Sequence, residues 1–160
     1  MPSGKIRDYF VSETSDVVVM FGLTPDKKVI LIDQHVIKDG RSALMLSAGF
    51  IDRGELPIKS AKREFLEETG YTTKKWIKLG QTSIGKWASG KAYYFLALDA
   101  KLKHAQALDD SEDIVVKLKS LTNFLWLLRN NKLYDNFALC GSLLALDWLK
   151  RQENKNHPPL

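Results

Sequence analysis

The sequence predicts a mixed α/β domain in which a β-sheet packs against helices. Apolar runs of strand length alternate with segments of helical periodicity, in the order strands, helix, strands, helices. The chain has 160 residues, enough to bury one sizeable core, and we expect one domain over 1–160. Its 44% hydrophobic and 27% charged residues are typical of an ordinary globular protein.

The first elements are a predicted hairpin, a third apolar run and a helix. The runs "SDVVVMFGL" and "KKVILID" are rich in β-branched residues, and the "TPDK" between them is typical of a turn. The next run, "SALMLSAG", ends in small residues at Gly49. From Leu56 to Thr69 the pattern becomes helical, with Pro57 in the first turn and Gly70 as the stop.

The second half contains more strands and then helices. "WIKLGQTSI" and "AYYFLALDA" predict strands, a polar segment "KHAQALDDSED" follows, and "DIVVKLKSL" predicts another strand. Helices are expected at about 121–129 and 136–152, and a flexible tail over 153–160. Apolar residues lie near one stripe of the last helix, a pattern typical of a core face. They are Leu139, Leu143, Leu146, Trp148 and Leu149.

The charge and composition restrict the kinds of partner. A net charge of +5 indicates anionic partners, but the lysines and arginines are scattered, so nucleic acid is not indicated and phosphorylated small molecules fit equally well. Runs such as "VVVMF" and "SLLAL" are too short to cross a bilayer, so we expect no membrane partner. "MPSGKIRDYF" lacks the apolar region of a signal peptide, and the single Cys140 fits a reducing compartment. We therefore expect a cytoplasmic protein.

The stretch "GFIDRGELPIKSAKREFLEETGY" gathers acidic residues despite the positive net charge. On a helix, Glu64, Glu67 and Glu68 stand at i, i+3 and i+4 and project from one face. Unpaired, these like charges repel one another. A divalent cation that prefers oxygen ligands, such as Mg²⁺, would make their proximity favourable. The helix alone leaves open both a metal site and an ordinary solvated face with interspersed lysines.

The spacing of the whole stretch resembles the Nudix box, G-x5-E-x7-R-E-U-x-E-E-x-G-U, where U is a bulky apolar residue. Phe65 and Tyr71 are aromatic where the pattern more often has an aliphatic residue, a difference expected to affect packing rather than chemistry. The nine specified positions are filled by Gly49, Glu55, Arg63, Glu64, Phe65, Glu67, Glu68, Gly70 and Tyr71.

This resemblance implies a Nudix fold, a mixed β-sheet sandwiched between helices with the box as a loop–helix–loop motif. It implies a Mg²⁺ site, in which Mn²⁺ is able to substitute. Glu64 and Glu68 would be the main ligands, with Glu67 sharing or bridging and the main-chain carbonyl of Ala48 as a further ligand.

The other box residues are expected to be structural. An ion pair between Arg63 and Glu55 would hold the loop to the helix and orient the ligands. Gly49 would allow close backbone approach to the metal or phosphates, and Gly70 would let the chain leave the helix in a left-handed conformation.

Beyond the box, the chain is similar to ADP-ribose and nucleoside-diphosphate-sugar pyrophosphatases, which release a nucleoside monophosphate and a sugar phosphate. "KVILIDQH" resembles their strand ending in glutamine, here Gln34. "LSAGFIDRGE" resembles their loop, although Ser47 replaces the usual proline. "DDSEDIVVKLKSL" resembles their acidic loop and strand, which makes Glu112 the expected base or additional ligand, with Asp110 second.

Two aromatic residues are candidate contacts for the nucleobase. Phe50 or Trp87 would stack on a base, because each lies near glycine in a turn, although simple packing is the alternative for both. The loop "SIGKWASGKAYYF" is basic where relatives often carry an acidic residue, which favours a nucleoside-diphosphate sugar in general over ADP-ribose in particular. The resemblance also implies a homodimer.

Two other functions fit the same pattern. One is a Nudix hydrolase of another nucleotide, such as a dinucleoside polyphosphate or an oxidised nucleotide. The other is a non-catalytic Nudix module that binds a nucleotide sugar or RNA. Such modules often lose box glutamates, whereas all four are intact here, so the sequence favours an enzyme.

Overall fold

The structure is a computed structural model that describes residues 8–109 and 112–156. The α-helices are α1 Pro57–Thr69, α2 Leu121–Arg129 and α3 Asn136–Asn156, and a 3₁₀ turn spans Ile37–Asp39. The strands are β1 Val17–Leu23, β2 Lys28–Val36, β3 Arg41–Met45, β4 Ser47–Phe50, β5 Tyr71–Thr72, β6 Lys75–Ser83, β7 Lys91–Leu98, β8 Lys101–Leu102 and β9 Ile114–Ser120.

The main sheet is mixed and runs in the order β3-β2-β1-β7-β6, with β4 beside β1 and β9 beside β2. β1 and β2 form the predicted antiparallel hairpin, whereas β1 and β7 are parallel. β4 pairs with the first half of β1, from Val17 to Met20, so β4 and β2 share one edge of that strand. β5 and β8 form a separate two-stranded sheet. This topology brings β4, which opens the acidic motif, to the centre of the fold.

Helices cover both faces of the main sheet, which confirms the predicted layered arrangement. Every residue of β1 is buried, as expected for a strand with packing on both sides. Its alternate residues Val18 and Met20 join a core cluster with Phe65 of α1. Val19 and Phe21 belong instead to the cluster that contains residues of α2 and α3.

Helix α1 begins and ends as its sequence predicts. Pro57 occupies the first turn, and Gly70 follows the last residue in a left-handed conformation with φ of 74°. The Gly70 N–H donates to the carbonyl of Leu66 at 2.8 Å. A Cβ at Gly70 would lie 2.3 Å from the carbonyl oxygen of His104. Position 70 therefore needs glycine for both its backbone conformation and its closeness to the neighbouring segment.

The structure corrects two expectations about helix α3. The helix continues to Asn156 instead of ending at about 152, residues 157–160 lie outside the described residues, and the flexibility of 153–160 stays a prediction. The core-face prediction was wrong for Leu143, which is 61% exposed. A small residue, Gly141, lies at the contact instead. Even a Cβ at this position would lie only 2.8 Å from Leu46 Cδ1, so there is no room for a larger side chain. None of the described helices is long and apolar enough to span a membrane.

The aromatic side chain in the middle of α1 is expected to carry much of the packing between α1 and the sheet. Phe65 is fully buried and its ring lies edge-on to Trp76 at 5.6 Å. We expect Phe65→Ala to lower the free energy of unfolding by about 3–5 kcal/mol, since it removes a buried ring and leaves a cavity. Urea denaturation followed by circular dichroism measures this loss.

Leu143→Ala is the matched control, because it also removes a large apolar side chain, but from an exposed position. Its unfolding free energy should stay within about 0.5 kcal/mol of the wild-type value. Equal losses in the two variants would contradict the assignment of Phe65 to the core.

Candidate active site

The acidic motif lines a cavity of about 620 Å³ at the end of the sheet where β1 begins. The cavity is formed by β4, the loop after it, one face of α1, the segment before β9 and the start of α3. Among the described residues of the lining, one cation, Arg63, faces several acidic side chains. The acidic residues are Asp52, Glu64, Glu67, Glu68, Asp109 and Glu112. A cavity with this charge would repel an anionic substrate unless a further cation were present.

Arg63 forms ion pairs with several carboxylates at this site. Its Nη2 lies 3.0 Å from Glu55 Oε2, so the expected pair between loop and helix is present. Its Nη1 donates to Glu64 Oε1 at 2.8 Å and to Glu67 Oε2 at 3.2 Å. Ser60 Oγ also donates to Glu55 Oε2, at 2.6 Å. The Arg63 and Ser60 hydrogen bonds lower the pKa of the Glu55 carboxyl.

Glu68 is the most buried acidic group of the cavity, with 3% of its surface exposed. Its Oε2 accepts hydrogen bonds from the Ser47 hydroxyl and, at 3.1 Å, from the Ala48 N–H. Burial raises the pKa of Glu68 to about 8, the hydrogen bond from Ser47 opposes this shift, and the charges of Glu64 and Glu112 add to it. Without a cation, the ionised form of this carboxyl is therefore strongly disfavoured.

Glu64 is partly buried, and the backbone at Gly49 approaches its carboxyl closely. A Cβ at position 49 would lie 2.1 Å from the Glu64 carboxyl carbon, so any residue other than glycine would displace this side chain. Burial raises the pKa of Glu64, the nearby Arg63 opposes the shift, and the charges of Glu67 and Glu112 add to it.

The chemistry of the donor set fits a hard divalent cation. The Glu64, Glu67 and Glu68 side chains supply only oxygen atoms, which Mg²⁺ prefers, and two of these carboxyls have raised pKa values that a bound cation would lower. Among the described residues, no three acidic, histidine or cysteine side chains are yet gathered closely enough to hold a metal ion. Arg63 engages two of the three carboxylates instead, so a cation would replace its contacts with Glu64 and Glu67.

The acidic segment before β9 brings Glu112 to the cavity. Glu112 Oε2 accepts from the backbone N–H of Asp109 at 3.1 Å, and its own N–H donates to the Asp109 carbonyl at 2.9 Å. Asp110 lies outside the described residues. The sequence did not single out Gln106, whose side-chain amide donates to the carbonyls of Glu68 at 2.5 Å and Ile114 at 3.1 Å. This amide ties the acidic segment to the end of α1.

The predicted substrate contacts are only partly brought together. Gln34 and Phe50 line the cavity, and Phe50 is 65% exposed at its rim. Trp87 does not belong to the described lining, and it stacks on Tyr9 with ring centroids 5.3 Å apart. Val17 and Phe137 supply apolar lining that the sequence did not identify, since a strand valine and a helix phenylalanine are ordinarily core residues.

The raised pKa of Glu68 predicts a pH dependence of stability in the metal-free protein. Its ordinary value is 4.5 and its folded value is about 8, so the folded state holds the proton more tightly. The contribution of Glu68 to the free energy of unfolding is therefore lost as the pH rises from about 4.5 through about 8. Glu68→Gln should be more stable than wild type at about pH 9, with the difference disappearing near pH 4. Denaturation of both proteins in EDTA across this pH range measures the difference in stability.

Glu55→Gln is the control with the opposite sign. The pKa of Glu55 is lowered, so its ionised form stabilises the folded state above its ordinary value of 4.5 and loses that effect as the pH falls. Glu55→Gln should therefore be less stable than wild type near neutral pH. A Glu68→Gln variant that is destabilised at high pH, as Glu55→Gln is, would contradict the burial of an unfavourable charge at position 68.

Comparison with known proteins identifies the family. The NUDIX domain matches residues 14–137. The chain is 31% identical over 156 residues to the ADP-ribose pyrophosphatase of Bacillus subtilis (strain 168), a match covering 96% of this chain and 82% of that protein. It is also 25% identical over 160 residues to the methanol dehydrogenase activator of Bacillus methanolicus, covering 98% of this chain and 84% of that protein.

A solved structure supports the same fold. The crystal structure of ADP compounds hydrolase matches with a TM-score of 0.77 and 24% sequence identity, over 87% of this chain and 75% of that chain. The family match, the similarity over nearly the whole chain and the intact acidic motif agree with one another. The chain therefore belongs to the Nudix family and is a pyrophosphohydrolase related to the ADP-ribose pyrophosphatases.

Proposed function

We propose that this enzyme hydrolyses the diphosphate bond of nucleoside diphosphate sugars in a Mg²⁺-dependent reaction, releasing a nucleoside monophosphate and a sugar phosphate. The observation that carries the proposal is the grouping of Glu64, Glu67 and Glu68 around one cavity, with Glu68 almost fully buried. The similarity to a protein named ADP-ribose pyrophosphatase supports a diphosphate joined to a sugar as the substrate class.

The acidic lining explains why a cation is needed. Among the described lining residues, the ionised carboxylates outnumber the one cation, Arg63, and would otherwise repel a diphosphate from the place where it must react. We assign Glu64 and Glu68 as the main ligands of Mg²⁺, or of Mn²⁺ in its place, with Glu67 and the Ala48 carbonyl completing the protein's share. When bound, such an ion neutralises charge on the diphosphate oxygens and lowers the pKa of a coordinated water.

Glu112 is the proposed general base. It lies on the segment opposite α1 and lines the same cavity as the ligands, where it is able to accept a proton from the attacking water. Its carboxylate is oriented by the Asp109 N–H at 3.1 Å. The Gln106 amide anchors the start of this segment to α1 and β9. The segment that carries Glu112 is therefore attached to the helix that carries the proposed metal ligands.

The rim provides candidate contacts for the rest of the substrate. The exposed ring of Phe50 lies next to Gly49 at the cavity and offers an apolar face to a base or sugar. Gln34 adds an amide that is able to donate and accept hydrogen bonds. We do not assign Trp87 to this group, because its ring packs against Tyr9.

We also propose a cytoplasmic homodimer. The free Cys140 is compatible with a reducing compartment. Phe10 and Val11 near the N-terminus are 91% and 56% exposed, and burying them against a second copy would be favourable. Sedimentation at several protein concentrations tests the dimer directly.

A panel of nucleotides with Mg²⁺ tests the proposed reaction. The panel contains ADP-ribose, ADP-glucose, GDP-mannose, UDP-glucose, a diadenosine polyphosphate and NADH, with a phosphatase added to release phosphate from newly formed monophosphates. We expect turnover of the diphosphate sugars and a loss of at least about 100-fold in Glu68→Gln, because this change removes a metal ligand. Preferential turnover of the diadenosine polyphosphate would indicate another nucleotide class. Binding without turnover would indicate a non-catalytic module.

The assignment of Glu112 predicts a difference between two carboxylates of one loop. Glu112→Gln should lower kcat by about 10²–10⁴-fold, the usual contribution of general base catalysis, with little change in Mg²⁺ affinity. Asp109→Asn removes an equal charge from the same cavity but keeps the backbone N–H that orients position 112. This control should retain most activity. If both variants lose the same activity, charge in the loop matters and Glu112 is not the base.

A further inference from the structure

Ser47 is buried directly beside the proposed metal ligand Glu68. Only 1% of its surface is exposed, and its hydroxyl donates to Glu68 Oε2. The N–H of Ala48, the next residue of β4, donates to the same oxygen at 3.1 Å. Ser47 pairs with Met20 in the β1–β4 ladder, so the sheet fixes the position from which the hydroxyl reaches Glu68. Two donors on one rigid strand therefore hold a single carboxylate oxygen.

A residue without a side-chain hydroxyl at position 47 would leave Glu68 Oε2 with the Ala48 N–H as its remaining donor. The contact is buried and involves an ionisable group, where hydrogen bonds have their largest effect. The Ser47 hydroxyl is therefore a candidate for controlling how this chain holds its metal.

We propose that Ser47 is a positioning residue that increases the affinity of the site for Mg²⁺. This inference rests on the proposed role of Glu68 as a metal ligand. With Oε2 held by Ser47 and Ala48, the carboxylate is fixed in one orientation, and Oε1 is the oxygen left to bind a cation. Fixing the side chain in advance reduces the conformational entropy lost on binding. The donated hydrogen bonds also offset part of the desolvation of the ionised carboxylate.

Ser47→Ala and Ser47→Pro both remove the hydroxyl that donates to Glu68 Oε2. We expect both variants to bind Mg²⁺ about 10-fold more weakly than wild type in calorimetric titrations without substrate. Turnover should need correspondingly more Mg²⁺, while kcat at saturating Mg²⁺ stays near the wild-type value. Ser142→Ala is the control, because it removes another fully buried serine hydroxyl, which donates to the Ala138 carbonyl within α3 at 2.5 Å. Its Mg²⁺ affinity should not change.

A second comparison makes the test specific for Glu68. In a Glu68→Gln background, adding Ser47→Ala should change the residual Mg²⁺ affinity little, since the two side chains act as one unit. Unchanged or tighter binding in both single Ser47 variants would overturn the inference, as would a wild-type protein that binds no divalent cation. If wild type binds Mg²⁺ but hydrolyses no member of the panel, the proposed function fails while the binding titrations still decide the role of Ser47.

Discussion

The burial of the Glu68 carboxyl between α1 and β4 is the constraint on which the site depends. Removing a carboxylate from water is costly unless hydrogen bonds or a counter-charge compensate. Here Ser47 and Ala48 supply the hydrogen bonds, and both come from the strand that is paired to the centre of the sheet. The packing of α1 through Phe65 and the close approach at Gly49 keep the helix where these bonds form.

The site concentrates negative charge in a chain whose net charge is positive. The chain carries a net charge of +5, yet the cavity collects acidic side chains around one arginine. Arg63 links the carboxylates of the loop and the helix, so it partly neutralises a group of charges that would otherwise repel. Glu55 also accepts a hydrogen bond from Ser60. Its carboxylate is thus engaged in structural contacts and is not among the carboxylates proposed to bind a cation.

The sequence predicted those parts of the molecule that local patterns control. β-branched runs, the first-turn proline of α1 and the glycine after it correctly placed the hairpin and the helix, because each signal acts through neighbouring residues. The motif spacing predicted which side chains share a helix face. It did not predict that Leu143 would be exposed, because the closeness of α3 to the sheet is a tertiary property that favours Gly141 at the contact.

The site shows the same division between local and tertiary information. Glu64, Glu67 and Glu68 followed from periodicity and resemblance, whereas Gln106 has no sequence signal, since its two acceptors are backbone carbonyls in distant segments. The stacking of Trp87 on Tyr9 likewise depends on a contact between segments far apart in sequence. The pKa shift of Glu68 required knowledge of burial, which spacing alone does not provide.

The Gln106 side chain anchors the acidic segment that precedes β9. Its amide and the Ala107 N–H donate to carbonyls in the last turn of α1, and the amide also donates to the carbonyl of Ile114 at the start of β9. Among the described residues between these anchors, Asp109 and Glu112 line the cavity. Leu108 packs against the core, and the carbonyl of Asp113 accepts from the His35 N–H of β2 at 3.1 Å, so these two residues belong to the fold of the sheet. A redesign of this segment would therefore have to keep Leu108 and Asp113 for the fold and Glu112 for the proposed chemistry, which leaves the Asp109 side chain as the described position most open to change.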